Sequence, residues 1–489
     1  MSIQTLEPEA MDTKLLTEIE RQEAVLAELP EDYEFPLFDG RQAIESQRKS
    51  AYKNTPRAAR EIIDNAFEAG AKNVWVVFKR PAEEQRGKHE RRDAVSAVAF
   101  IDDGPGMVAT MARYALSWGG GTHFSDPTGI GRFGFGLPNS SINQTRRVEV
   151  YTRTGAKRLW TRAVLDISSD RVKPHGMVKV DPPEEAEFPA FVTEYMKKNR
   201  IALKAGTVVV WDKPDRLTAT LRQQMLDDFG VVYRYLLDDF RLVVDGVAVQ
   251  KVDPLFLMDD ARLYKNAKAG GAECRYDKQL FVKYYKDDDT GSQHLELLAG
   301  PEVQAAHQDP NVVVDIISVK VAGFPYGFAA ESVTAGKDAE GNDIKRYFSK
   351  ESDEYKHIQI RKKRRGISFV RAKREIDTLD VFPTLGSDKA NGLGEWPVLQ
   401  SYALHWGVEV RFGPKLDEAF GIGNDKQTVS PIEDMWRVLT KAEVDAAVRR
   451  EEKLQRKMRK KEDEKRAKNE VENPDQPNPA TDAAAAARP

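Results

Sequence analysis

Short apolar runs alternate along the chain with polar, glycine-rich or heavily charged segments. Val74-Trp75-Val76-Val77-Phe78, Val95 to Ile101, Val148-Glu149-Val150-Tyr151 and Val208-Val209-Val210-Trp211 are β-branched and aromatic, which predicts four strands. From Ser46 to Ile167 the order reads helix, strand, charged hairpin, strand, Gly-rich loop, helix, strand. Arg80 to Asp93 is so charged that it reads as a solvated hairpin tip. Over Glu61–Gly70 the period changes to that of a helix. Glu61, Asn65 and Glu68 fall at i, i+4 and i+7 beside an apolar stripe of Ile62, Ala66 and Ala69. Residues 1–45 are acidic and weakly periodic, and read as an N-terminal strap with a short helix.

The second half is patterned differently. Val231–Leu237 predicts a buried helix, and Arg241–Val247 a strand entering an Asp-Gly turn. Further strands are predicted at Val312–Val321 and Gly366–Val370. Residues 437–470 predict a highly charged helix without a sustained apolar stripe, either projecting into solvent or docking on a partner surface. Residues 471–489 are low-complexity and predict a disordered tail. The fold class expected is α/β: a mixed sheet backed by helices in a two-layer sandwich, then a second α/β domain.

With 489 residues, two or three domains are expected. Lysine and arginine number 75 and acids 78, so 75 − 78 = −3, which disfavours a uniformly basic nucleic-acid coat protein. One cysteine, Cys274, excludes an internal disulfide framework and a Cys-rich zinc module, and is expected to be inert. The seven histidines show no metal-ligand spacing. The N-terminus lacks a secretory pattern, and no run approaches the roughly 18 apolar residues of a membrane span. A soluble, cytoplasmic protein with no membrane partner is expected.

Four segments carry candidate chemistry. In Glu61–Gly70, a carboxylate one turn before a carboxamide suits a metal-dependent hydrolase: the amide oxygen is a hard ligand for magnesium, and the carboxylate can take a proton from water. Asp102-Asp103-Gly104-Pro105-Gly106-Met107 ends a strand with an acceptor for an exocyclic amine, and its glycines let a flat ring lie against bare backbone. Gly119-Gly120-Gly121-Thr122 and Gly129-Ile130-Gly131-Arg132-Phe133-Gly134-Phe135-Gly136 suit a lid whose amides close on phosphates, followed by a helix whose N-terminus faces the same anion. Trp118 reads as a core anchor for that lid. No Walker or Rossmann fingerprint is present. Finally, Gly206-Thr207 heads a strand and offers a hydroxyl toward Asp102.

Taken in order, E-x-x-x-N-A, D-x-G-x-G-M, G-x-F-G-x-G and a late G-T strand resemble the four motifs of the GHKL, or Bergerat-fold, ATPases, across residues 46–215. Within that superfamily the histidine kinase-like ATPase domains of MORC proteins, the heat-shock chaperone and MutL look most similar. The resemblance implies ATP and Mg²⁺ as cofactors. Glu61 would be the general base and Asn65 the metal ligand; Asp102, Gly104, Gly106 and Met107 would form the adenine pocket, with Thr207 supporting it. Gly119, Gly120, Gly121, Thr122, Gly131, Arg132, Phe133, Gly134, Phe135 and Gly136 would form the lid. Residues 216–436 would be a transducer-like domain returning a lysine to the γ-phosphate. Lys426, in Gly421-Ile422-Gly423-Asn424-Asp425-Lys426-Gln427-Thr428, is the best candidate for that role, and Lys415 the weaker one.

Arg361-Lys362-Lys363-Arg364-Arg365 with Arg371, Lys373 and Arg374 reads either as a DNA-backbone contact or as a basic face paired with nearby acids. The function expected is an ATPase acting as a nucleotide-driven switch, with an ATP-dependent homodimer and an effector partner subunit implied by the resemblance. A chaperone acting on protein clients and a nucleotide-held, non-catalytic scaffold are the alternatives.

Overall fold

The computed structural model describes residues 27, 40–50, 52–81, 95–119, 135–168, 178–215, 220–325, 332–337, 343–349, 352–399, 404–423 and 427–472. Among the described residues, the first unit is built on an eight-stranded sheet in the order β5-β4-β3-β6-β2-β1-β7-β8. These strands are β1 (Asn73–Lys79), β2 (Ala97–Asp102), β3 (Arg147–Arg153), β4 (Thr161–Asp166), β5 (Glu184–Glu185), β6 (Gly206–Asp212), β7 (Arg241–Val244) and β8 (Val247–Ala248). Neighbours are antiparallel except β1 and β7, which pair in parallel from Asn73↔Arg241 to Val76↔Val244.

The strand runs are continuously apolar because both faces of the sheet are covered. Val74, Val76, Phe100, Val150, Val209 and Trp211 point into a core with helices α1 (Gly40–Ser50), α2 (Thr55–Glu68), α3 (Ala109–Ala115) and α4 (Gly136–Gln144). Val77, Ala99, Ile101, Tyr151, Val208 and Val210 pack on the other face with Val192 of helix α5 (Ala190–Lys198). The first unit runs past residue 215. Helix α6 (Leu221–Val232) and the β7–β8 hairpin complete it, turning through Asp245 (φ 47°) and Gly246 (φ 83°). The helix read at Val231–Leu237 is the C-terminal end of α6 followed by turns.

A second sheet has the order β10-β9-β11-β16-β14-β15. Its strands are β9 (Glu273–Lys286), β10 (Gln293–Leu297), β11 (Val313–Gly323), β14 (Ile367–Arg371), β15 (Arg374–Leu379) and β16 (Trp406–Phe412), with a separate β12–β13 hairpin (Ser332–Lys337, Asp343–Tyr347). Helix α7 (Asp353–Lys363) precedes β14, and helices α8 (Glu433–Lys441) and α9 (Val444–Glu472) close the second core through Met435, Leu439, Val444 and Val448. The charged helix is therefore of two kinds. Its first turns dock, with Gln455 Nε2 donating to the Phe324 carbonyl at 2.8 Å, while Arg456 to Lys461 face water.

The basic run is largely consumed inside the molecule. Arg361 is fully buried, donates to the Pro254 carbonyl at 3.2 Å and is pushed by burial down to about 10. Arg364 pairs with Glu375 and Asp228, Arg371 with Asp417, and Arg374 with Asp64. Lys362, Lys363, Arg365 and Lys373 are exposed, Lys373 in an ion pair with Asp239.

Ion pairs join the two units. Arg234, at the end of α6, is buried between Glu375 and Glu409, its Nη2 donating to Glu409 Oε2 at 2.6 Å. Burial works against its charge, but the two carboxylates more than offset that and hold its pKa well above the ordinary value. Removing one partner of such a pair leaves an uncompensated buried charge. Arg234→Met is therefore expected to destabilise the protein by about 3–5 kcal/mol, read from the denaturant midpoint. Lys373→Ala, which removes an exposed pair with Asp239, should cost under about 1 kcal/mol.

Candidate functional site

Helix α2 begins cleanly: the Asn54 side chain caps the Arg57 amide at 3.0 Å, and Pro56 occupies its first turn. The cap sets the phase of everything after it. Glu61 is turned inward, 7% exposed, while Asn65 one turn later is open to solvent. Helix α4 starts at Gly136 directly over Glu61, and a Cβ built on that glycine would lie 2.6 Å from Glu61 Oε2. A side chain there would push the Glu61 carboxylate aside, and the helix dipole at the N-terminus of α4 favours negative charge.

At the other end of α2 lies the turn after β2. Asp102 is 9% exposed, and its Oδ1 accepts from the Gly104 amide at 2.9 Å and the Thr207 amide at 3.3 Å. Thr207 thus meets Asp102 through its backbone, where the sequence suggested its hydroxyl. Gly104 sits against Ala69 and Ala71. Gly106 has φ +70°, and a Cβ there would lie 2.2 Å from the Arg153 carbonyl, so no other residue fits. The Met107 amide donates to Thr152 Oγ1 at 2.6 Å, tying the turn to β3. Burial raises Asp102 to about 6; the amides of Gly104 and Thr207 pull it the other way without cancelling the effect.

Gly119 ends the described part of the lid with φ +75° and open space around it, and Phe135, 41% exposed, precedes α4. Gly120, Gly121, Thr122, Gly131, Arg132, Phe133 and Gly134 lie outside the described residues, as does Lys426. Trp118 is not a core anchor. It is 39% exposed and borders an apolar cavity of about 600 Å³ with Ile44, Tyr114, Ile142, Leu165 and Val180. Among the described residues no His/Cys/Asp/Glu cluster is spaced to hold a metal, and no helix is long and apolar enough to cross a membrane.

Sequence reasoning did not single out Gln427. It is 2% exposed, and its Nε2 donates to Glu61 Oε1 at 3.2 Å and to the Arg57 carbonyl at 2.8 Å. Arg57 Nη1 returns a bond to the Gln427 carbonyl at 3.0 Å. The second unit thereby touches the candidate base, one residue beyond the lysine that the loop pattern suggested. Asp64, also passed over, is buried on the back of α2. Its signal was a carboxylate in a helix interior between two functional positions.

Fold and site together give an α/β domain with a buried acceptor at a strand end, a glycine turn beside it, and a carboxylate facing a helix N-terminus. Residues 52–198 match the family of histidine kinase-, DNA gyrase B- and HSP90-like ATPases, a match ending with α5. No curated protein matches the chain. Residues 52–198 thus form a GHKL-type domain, for which ATP is the expected ligand.

If Asp102 accepts from the exocyclic amine of a bound adenine, it must do so ionised. With its carboxyl raised by burial to about 6, ATP would then have to displace a proton below that pH. Affinity is expected to be flat above about pH 7 and to fall roughly tenfold per unit well below 6, measured by calorimetry at fixed ionic strength. Affinity independent of pH between 5 and 7 would remove Asp102 from the base contact.

Proposed function

We propose that the protein is a magnesium-dependent ATPase whose turnover depends on contact between the two units. The observation that carries this reading is the setting of Glu61: inward-facing, under the N-terminus of α4, bonded by Gln427, with Asn65 open to the site one turn away. Asp102 and the Gly104–Met107 turn would hold adenine, and Asn65 would hold the magnesium. The metal would neutralise phosphate charge. Glu61 takes a proton from water as the water oxygen bonds to the γ-phosphorus. The bond to the β,γ-bridging oxygen breaks with its electron pair going to ADP, leaving ADP and phosphate. The glycines from 119 to 136 would close on the phosphates, and Lys426, beside Gln427, would stabilise charge on the transferring oxygens.

The same arrangement supports a conformational switch, since phosphate release alters what Gln427 and Lys426 face. ATP-dependent dimerisation and an effector partner are part of this proposal. A contact with DNA through Lys362, Lys363, Arg365 and Lys373 would show as salt-sensitive stimulation of turnover.

A positioned base typically contributes about 10² to 10⁴ in rate. Glu61→Gln is expected to bind ATP within about threefold of wild type and to lose turnover by that factor, measured as phosphate release with and without Mg²⁺. Wild-type turnover in the variant would contradict the base assignment. ATP binding without turnover in either protein would leave the nucleotide-held scaffold.

A further inference from the structure

We propose that Arg374 is a positioning residue for turnover: it reaches from the second unit into the back of helix α2 and, through Asp64, fixes where Glu61 and Asn65 stand. The inference rests on the proposed ATPase reading. Asp64 lies between those two residues in sequence, and about 60° round the helix from Glu61. It is 2% exposed and Arg374 1%. Arg374 Nε donates to Asp64 Oδ1 at 3.0 Å, its Nη2 lies 2.8 Å from Oδ2, and the Tyr233 hydroxyl donates to Oδ1 at 2.9 Å.

The cation comes from a stiff mount. Arg374 follows a two-residue turn, Ala372 (φ 46°) and Lys373 (φ 71°), and pairs across the hairpin with Arg371. Arg371 is itself buried and held by Asp417, Nη2 to Oδ2 at 2.8 Å. The guanidinium position is thereby set by the second core, and the Nε hydrogen bond together with the close approach of Nη2 to Oδ2 ties the Asp64 carboxylate to it. Burial works against the Arg374 charge; Asp64 first, then Tyr233 and Glu61, more than restore it, leaving its pKa raised. The charge of one guanidinium thus acts on two carboxylates three residues apart on one helix. Stability alone does not call for this arrangement, because buried pairs are commonly replaceable by apolar residues at no loss. Directional control of a helix that carries a base and a metal ligand does call for it.

The test uses the full-length protein with Asp64→Asn, Arg374→Gln, the double variant and Arg374→Lys, alongside Glu61→Gln. The double variant removes both charges, so it leaves no lone buried ion and keeps folding separable from turnover. It is expected to melt as one cooperative unit and to bind ATP within about threefold of wild type. Its kcat should nevertheless fall by about 10²-fold, the scale of a misplacement near 1 Å. Arg374→Lys should regain at least about tenfold of that loss by keeping the charge. A purely structural role would instead move KM, kcat and melting temperature together. A kcat in the double variant within twofold of wild type, with Glu61→Gln inactive, would overturn this inference and leave the ATPase reading standing. Full turnover in Glu61→Gln would overturn both.

Discussion

The structure depends on the burial of helix α2. Ten of its fourteen residues are buried, among them Arg60, Glu61 and Asp64. Charged groups inside a protein must be paired or hydrogen-bonded, and α2 finds its partners on α6 and β15. Arg60 forks onto Asp228 of α6 with Nε to Oδ2 at 2.8 Å, Asp64 takes Arg374 from β15, and Arg57 takes Asp377 at 3.1 Å. Glu61 is left facing the site, beside Gly136 and Gln427. The first unit supplies only part of this; the rest comes from residues more than 300 positions later in the chain.

That division has a functional consequence. A site whose base is braced by a second unit has its chemistry coupled to where that unit sits. In the proposed ATPase that coupling would need no long-range relay, because the braced helix and the helix carrying Glu61 are the same fourteen residues. Ligand energy at one flank and docking energy at the other act on one rigid element, the minimum required for linkage between them.

Much of this was legible in sequence, for physical reasons that also explain the gaps. Strands β1, β2, β3 and β6 of the first sheet stood out because covering both faces makes their runs continuously apolar, whereas β4 was not singled out. Glu61, Asn65 and Asp102 stood out because helical spacing and strand ends place them locally. The boundary at residue 215 did not hold as the edge of the first sheet, since β7 joins it by parallel pairing to β1, a non-local choice that no local pattern encodes. The basic run left two readings open for the same reason: Asp64, Asp228 and Asp417, which pair with three of its arginines, are far away in sequence. Gln427 carried no charge signal at all, and Trp118 offered its size but not its exposure.

Nucleotide and the second unit are proposed to act on one helix. Hydrogen exchange of the full-length protein with and without Mg-ATP tests it most directly. Protection is expected to rise together in residues 61–68, 102–107, 371–377 and 427–430, since all four brace or border α2. Protection confined to the first two segments, with 371–377 and 427–430 unchanged, would contradict it.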